Sequence, residues 1–321
     1  MTKRIAAIVA VVILFGATAA VAVAIWPERA GESGSTVARQ PPTVPAVTMP
    51  DIGTAPPTED ARFALQPVTG RLPVRYRFKH PPLAGILFDV KSGRVLWQRH
   101  PRLEHPIASL TKMMTALVVV QRSDPDDKVR VTKEALAYKG SAVGVLPKGK
   151  RVKLETMLNG LLLPSGNDAA IALAQRMSGT VARFVVRMNE EASRLGLECT
   201  RFSSPDGFED AGNHSCAVDL AALARAVLDQ PRLARIVRRR RAVLPFPIKG
   251  GRLYLFNNNP LLRTGYPGAI GIKTGYTDAA GRCLVAAAQR SGRRLGVVLL
   301  HSPDPGRQAR QLLNRGFALG A

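Results

Sequence analysis

Apolar residues along this chain fall into blocks whose period changes with position. The runs "LAGILFDV" and "RVLWQRH", parted by the turn "KSG", predict a β-hairpin. After Pro106 a helix is expected, carrying Ser109 and running to about Val120. Four stretches then place apolar residues near a 3.6-residue period and predict helices: "KLETMLNGLLL", "NDAAIALAQRM", "VARFVVRMNEEASRLG" and "AVDLAALARAVLD". Strand-like runs return at "RLYLFNN", "RCLVAAAQRS" and "RLGVVLLHS", and "GRQARQLLNRGFA" ends the chain as a short helix. Strands at both ends with helices between them predict an α/β (α+β) fold. In it the first hairpin and the last strands share an antiparallel sheet, and a helical subdomain is inserted between them.

The first residues follow a different rule. Residues 5–25, "IAAIVAVVILFGATAAVAVAI", carry no charge and follow Lys3 and Arg4. About 20 apolar residues span a bilayer as a helix, whereas a signal-peptide core is nearer 7 to 15. The pattern favours a retained transmembrane anchor over residues 1–26; a cleaved signal peptide ending near "AVA" is the alternative. The basic tip places the N-terminus in the cytoplasm and the rest of the chain outside it. Residues 27–75 are dense in Pro, Gly, Thr and Ala, as in "RQPPTVPAVTMPDIGTAPPTED", and read as a linker. Residues 76–321 form the globular unit.

Composition sharpens this picture. With 321 residues and 46% hydrophobic content the chain builds a real core, which excludes a disordered protein. A net charge of +23 points to an anionic partner. An extracytoplasmic location makes that partner a membrane surface or wall polymer and argues against nucleic acid. The run "RRRR" at 238–241 reads as a solvated basic patch. Outside the cytoplasm disulfides are permitted, and Cys199 with Cys216 can close the loop between them or stay reduced. Cys283 reads as a buried strand thiol, and no cysteine spacing suits a metal.

Three short stretches carry chemistry. In "IASLTKMMTA", Ser109 and Lys112 lie three apart and share a helix face, so an amine can fold back on a hydroxyl. Alone, this is also the pattern of a capping serine and a surface lysine. In "LLLPSGNDAAIALA", Ser165, Gly166 and Asn167 occupy a break between two helices, where either polar residue also serves as a cap. In "AIGIKTGYTDAAGRCLVAAA", Lys273, Thr274 and Gly275 sit on or beside a strand, where a lysine before a glycine bulge is the plain alternative.

Taken together and in order, separated by 56 and 108 residues, these stretches match the Ser-x-x-Lys, Ser-x-Asn and Lys-Thr-Gly motifs of the penicillin-recognising serine enzymes. Within that superfamily the chain resembles the low-molecular-mass penicillin-binding proteins, the serine-type D-alanyl-D-alanine carboxypeptidases of peptidase family S11. "NEEASRLGLECTRFSSPDGF" and "NNNPLL" ahead of "GIKTGYT" support the likeness, which covers residues of about 80 to 315. It implies a β-lactamase/transpeptidase-like fold and a peptidoglycan stem peptide ending in D-Ala-D-Ala as substrate. β-Lactam antibiotics are implied as covalent inhibitors, and no cofactor or metal is called for.

By the same resemblance, Ser109 is the nucleophile, Lys112 its base, and Ser165 a proton relay toward the leaving D-alanine. Asn167 is expected to bond the substrate amide, and Lys273 and Thr274 its terminal carboxylate. Gly275 is expected to let the ligand approach the strand, and the N–H groups of Ser109 and Tyr276 to form the oxyanion hole. Many family members add a C-terminal β-rich domain. The chain ends about 45 residues after the third motif, so anchoring is expected at the N-terminus. Cys216 departs from the small polar residue expected there, which adds weight to the bridge with Cys199.

Competing readings differ in what they require. A class A β-lactamase needs a glutamate followed three and four residues later by Leu-Asn, and Glu190, Glu191 and Glu198 lack that sequel. A transpeptidase shares every motif. A non-catalytic, wall-binding membrane module accounts for charge and anchor but leaves three motifs unexplained.

Overall fold

A computed structural model describes residues 61–208, 212–248 and 251–319. The expected anchor and most of the expected linker therefore lie outside the described residues. Among those described, no helix is long and apolar enough to cross a membrane.

The chain enters through β1 (Ala84–Asp89) and β2 (Val95–Arg99), then a two-residue strand β3 (His105–Pro106) and a 3-10 turn, Ala108–Thr111, that feeds α1 (Lys112–Val120). The middle holds β4 (Lys128–Arg130), α2 (Lys133–Leu136), β5 (Arg151–Lys153), α3 (Leu154–Leu162), α4 (Asn167–Ser178) and α5 (Val181–Arg194). It continues through β6 (His214–Ser215), α6 (Ala217–Asp229), α7 (Pro231–Val237), β7 (Arg241–Pro245), β8 (Arg252–Phe256) and α8 (Pro260–Arg263). The chain returns through β9 (Ala269–Thr277), β10 (Gly281–Arg290), β11 (Arg293–Leu300) and α9 (Pro305–Ala318).

The central sheet has the order β2-β1-β11-β10-β9, all neighbours antiparallel, with Ile86 opposite Val298. First hairpin and last strands thus meet, as the apolar pattern predicts. Side chains on successive strand residues point to opposite faces. Ile86, Phe88, Val285 and Val298 face a core shared with α1, α3, α4 and α6, while Leu87, Leu284, Val297 and Leu299 pack with Leu312 and Leu313 of α9. Both faces are covered, which is why these strands read as unbroken apolar runs instead of alternating ones. β8 is not in this sheet: it pairs with β7 as a separate two-stranded hairpin.

Packing begins earlier than the expected boundary at residue 76. Phe63 and Val74 are buried, the Gln66 N–H donates to the Gly93 carbonyl, and the Val74 N–H donates to the Leu96 carbonyl. A buried guanidinium pins the segment: Arg225 donates to the carbonyls of Ala64, Val90 and Lys91 at 2.6, 2.9 and 3.1 Å. Leu65 and Leu72 also pack against the core, so this segment joins the globular unit although its composition reads as a linker.

Candidate active site

Three elements converge on one polar cluster. Ser109 sits in the 3-10 turn and Lys112 opens α1. Lys112 is fully buried, and its Nζ lies 2.7 Å from Ser109 Oγ, 2.6 Å from Asn167 Oδ1 and 2.8 Å from the Asp206 carbonyl oxygen. The last two groups only accept hydrogen bonds. A neutral amine has two N–H groups to give them, and its lone pair then faces the Ser109 hydroxyl. Burial lowers the Lys112 pKa from 10.5 to about 7, against the opposing pull of Asp206 and Asp168.

A second pair stands beside the first. Ser165 Oγ accepts from Lys273 Nζ at 2.8 Å, and the same amine donates to the Thr274 carbonyl at 2.9 Å. Lys273 is also buried, and its pKa is pushed well below the usual lysine value by desolvation and by the neighbouring Lys112. Ser165 takes a φ of +71°, an uncommon conformation for a residue with a side chain. Tethers on either side hold that turn. The N–H of Gly166 donates to the Gly160 carbonyl, the N–H of Asn167 donates to the Ser141 carbonyl, and Asn258 donates from backbone and side chain to the carbonyls of Leu163 and Pro164. Only one residue separates Ser165 from Asn167, so this turn joins the two lysine clusters.

Asn167 has both ends of its amide engaged, since Nδ2 donates to the Lys139 carbonyl at 2.8 Å. An amide NH2 has two N–H groups, so these bonds still leave Asn167 one donor to offer a substrate. Gly275 also matters to local packing, because a Cβ there would come within 2.8 Å of the Ile107 carbonyl and 3.3 Å of Leu110 N. Its missing side chain lets edge strand β9 lie against the serine-bearing turn. Thr274 is half-buried and Tyr276 exposed on the same edge.

Sequence reasoning missed three supports. Asp206 acts through its carbonyl, which no side-chain pattern reveals. Asp168 uses its carboxylate to accept the N–H groups of Val143, Gly144 and Ala169. Asn258 latches the Ser165 turn, and its only trace is the run "NNNPLL". Cys199 and Cys216 form a disulfide with Cα atoms 5.6 Å apart, closing the loop that carries Asp206. Asp219 lies beside the bridge, but its carboxylate already accepts from the Cys199 N–H and the Thr200 hydroxyl. Burial raises its pKa despite those bonds. Cys283 is buried in β10.

Comparison with known proteins follows the same lines. Residues 80–304 match the family model of D-alanyl-D-alanine carboxypeptidases, Peptidase_S11. The D-alanyl-D-alanine carboxypeptidase DacB2 of Mycobacterium tuberculosis is 37% identical over 247 residues, covering 74% of this chain and 83% of that one. DacF of Bacillus subtilis is 32% identical over 231 residues, covering 70% of this chain; the match spans 59% of that protein's length. A mutant of a Streptomyces DD-transpeptidase superposes with a TM-score of 0.71 at 32% identity, over 75% of this chain and 100% of that one. The fold, the three motifs and these matches agree: the chain belongs to the D-alanyl-D-alanine carboxypeptidase family, peptidase family S11.

Proposed function

We propose that this protein is a serine D-alanyl-D-alanine carboxypeptidase that trims the terminal D-alanine from peptidoglycan stem peptides. The observation that carries the reading is the buried Lys112 amine, 2.7 Å from Ser109 Oγ and otherwise bonded to two acceptors. Lys112 takes the Ser109 proton as Oγ attacks the carbonyl of the penultimate D-alanine. The oxygen of the tetrahedral intermediate is held by the N–H groups of Ser109 and Tyr276, a contribution of about 3 kcal/mol per donor. Ser165, bonded to Lys273, relays to the departing D-alanine nitrogen the proton that Lys112 took, so Lys112 is neutral again once the C–N bond has broken. Water then adds to the acyl carbon, and its proton returns to Ser109 as the ester opens.

Lys273 and Thr274 bind the terminal carboxylate in this scheme. A carboxylate beside Lys273 raises that amine's pKa, so the substrate brings its own countercharge to a lysine that desolvation otherwise holds toward the neutral form. β-Lactams acylate Ser109 by the same route. Residues 1–26 hold the chain to the bacterial membrane with the catalytic domain on the extracytoplasmic side, and the stretch from 27 to about 60 serves as a tether. The support is the uncharged run after Lys3 and Arg4.

The test uses the full chain and a peptide ending in D-Ala-D-Ala. D-Alanine is released, fluorescent penicillin labels the protein, and Ser109→Ala lowers both by at least about a thousandfold. An intact chain that neither releases D-alanine nor takes the label sinks the proposal. The likeness to a DD-transpeptidase supports a second reading, acyl transfer to an amine. An added acceptor amine that diverts most acyl product into a new peptide bond would favour it.

A further inference from the structure

The outward face of the β7–β8 hairpin has no part in the chemistry above. On β8, Leu253 and Leu255 are buried, whereas Arg252, Tyr254 and Phe256 point out, with Tyr254 60% and Phe256 65% exposed. The register sets exposed Pro245, Val243 and Arg241 opposite them in turn. Residues directly opposite in a hairpin have Cβ atoms about 5 Å apart. One face of the hairpin therefore offers two large rings with a guanidinium toward each end. Below it, Ala242, Leu253 and Leu255 fix the hairpin in the core.

This face leads to Ser165. The alternation continues past β8: Asn257 is buried and donates to the carbonyls of Val237 and Arg239, and Asn258 is exposed. Asn258 is the residue that bonds Pro164, immediately before Ser165. At about 3.3 Å per residue, the line from Asn258 back to Arg252 measures roughly 20 Å. Charge along this part of the sequence is of one sign. Between Asp229 and Asp278 the chain has no acidic residue and ten Lys and Arg.

We infer that this face is a subsite for the polymer bearing the scissile peptide, with sugar rings packed on Tyr254 and Phe256 and carboxylates on Arg241 and Arg252. The inference rests on the D-Ala-D-Ala reading and names what that site holds beyond the peptide end. A saccharide–peptide strand has apolar ring faces for aromatic stacking and carboxylates that match arginine forks. Continuity with the Ser165 turn favours this occupant over a lipid surface, which has no need of the cleft.

The experiment compares the full chain on a soluble peptide ending in D-Ala-D-Ala and on uncross-linked peptidoglycan strands. Two exposed-face variants are used, Tyr254→Ser with Phe256→Ser, and Arg241→Gln with Arg252→Gln. Each is expected to keep kcat/KM on the soluble peptide within about twofold and to lose about tenfold or more on strands, through KM. Soluble strands also slow hydrogen exchange across residues 241–256. The inference is overturned if the two substrates fall together or neither falls. It is equally overturned if phosphatidylglycerol vesicles, and not strands, protect the hairpin. No release from either substrate by the unsubstituted chain would instead defeat the carboxypeptidase reading, and this inference with it.

Discussion

Lys112 shows how much one buried amine decides. Its pKa near 7 comes from desolvation, so the fraction able to take the Ser109 proton grows as pH rises through that value. Acylation by fluorescent penicillin, followed from pH 5 to 9, should climb with a midpoint near 7 and flatten above it. A flat profile, or a midpoint near 10, would remove Lys112 as base. The same shift appears in stability. The unfolded chain binds the proton below about 10.5 and the folded site only below about 7, so across that window the unfolded state holds more protons and stability rises with pH. Lys112→Met should flatten that slope by about 1.4 kcal/mol per pH unit, measured by denaturant unfolding at pH 7.5 and 9. Equal slopes in both proteins would contradict a buried, neutral lysine. The pairing itself was legible, because three residues on a helix fix a shared face. The two acceptors that hold the amine were not, since one is a backbone carbonyl 94 residues away.

Elements explain why that carbonyl is in place. The loop from Cys199 to Cys216 carries Pro205, whose carbonyl accepts from Thr115, and Asp206, whose carbonyl accepts from Lys112, so it bonds two successive turns of α1. Ser204 and Asn213 tie the loop internally, and Gly207, at φ +70°, lies too close to the Ala108 carbonyl for a side chain. The bridge closes its base, where β6 pairs with β3 just ahead of Ser109. Closing a loop of this length stabilises by about 3 kcal/mol in the chain-entropy model. Replacing both cysteines with serine should lower Tm by roughly 6 to 12 °C. It should also move the acylation midpoint upward, because a looser loop admits water to Lys112. A lower Tm with an unmoved midpoint would mean that the bridge serves stability alone. Long helices and the sheet hairpins were readable because ten or more residues display a period or an unbroken apolar run. Two- to five-residue elements such as β3, β6 and α8 show none, and tertiary contacts place them. The β7 partner of β8 was hidden for a related reason: its exposed Arg241, Val243 and Pro245 interrupt any apolar signal.

At the scale of the whole chain, the sequence offers two ways to hold a membrane, net charge and an uncharged N-terminal run, and salt tells them apart. A net charge of +23 would attract the chain to an anionic leaflet, but at 1 M salt the screening length falls to about 3 Å, and surface attraction of this kind largely vanishes. A retained span of 21 uncharged residues in hydrocarbon would not be weakened by salt. If residues 1–26 are retained as an anchor, the full chain stays with membranes through a 1 M salt wash and an alkaline wash and leaves only with detergent. Release by salt alone would show that charge had held it. Recovery in the soluble fraction, with a mass lacking the first two dozen residues, would show that the segment is a cleaved signal.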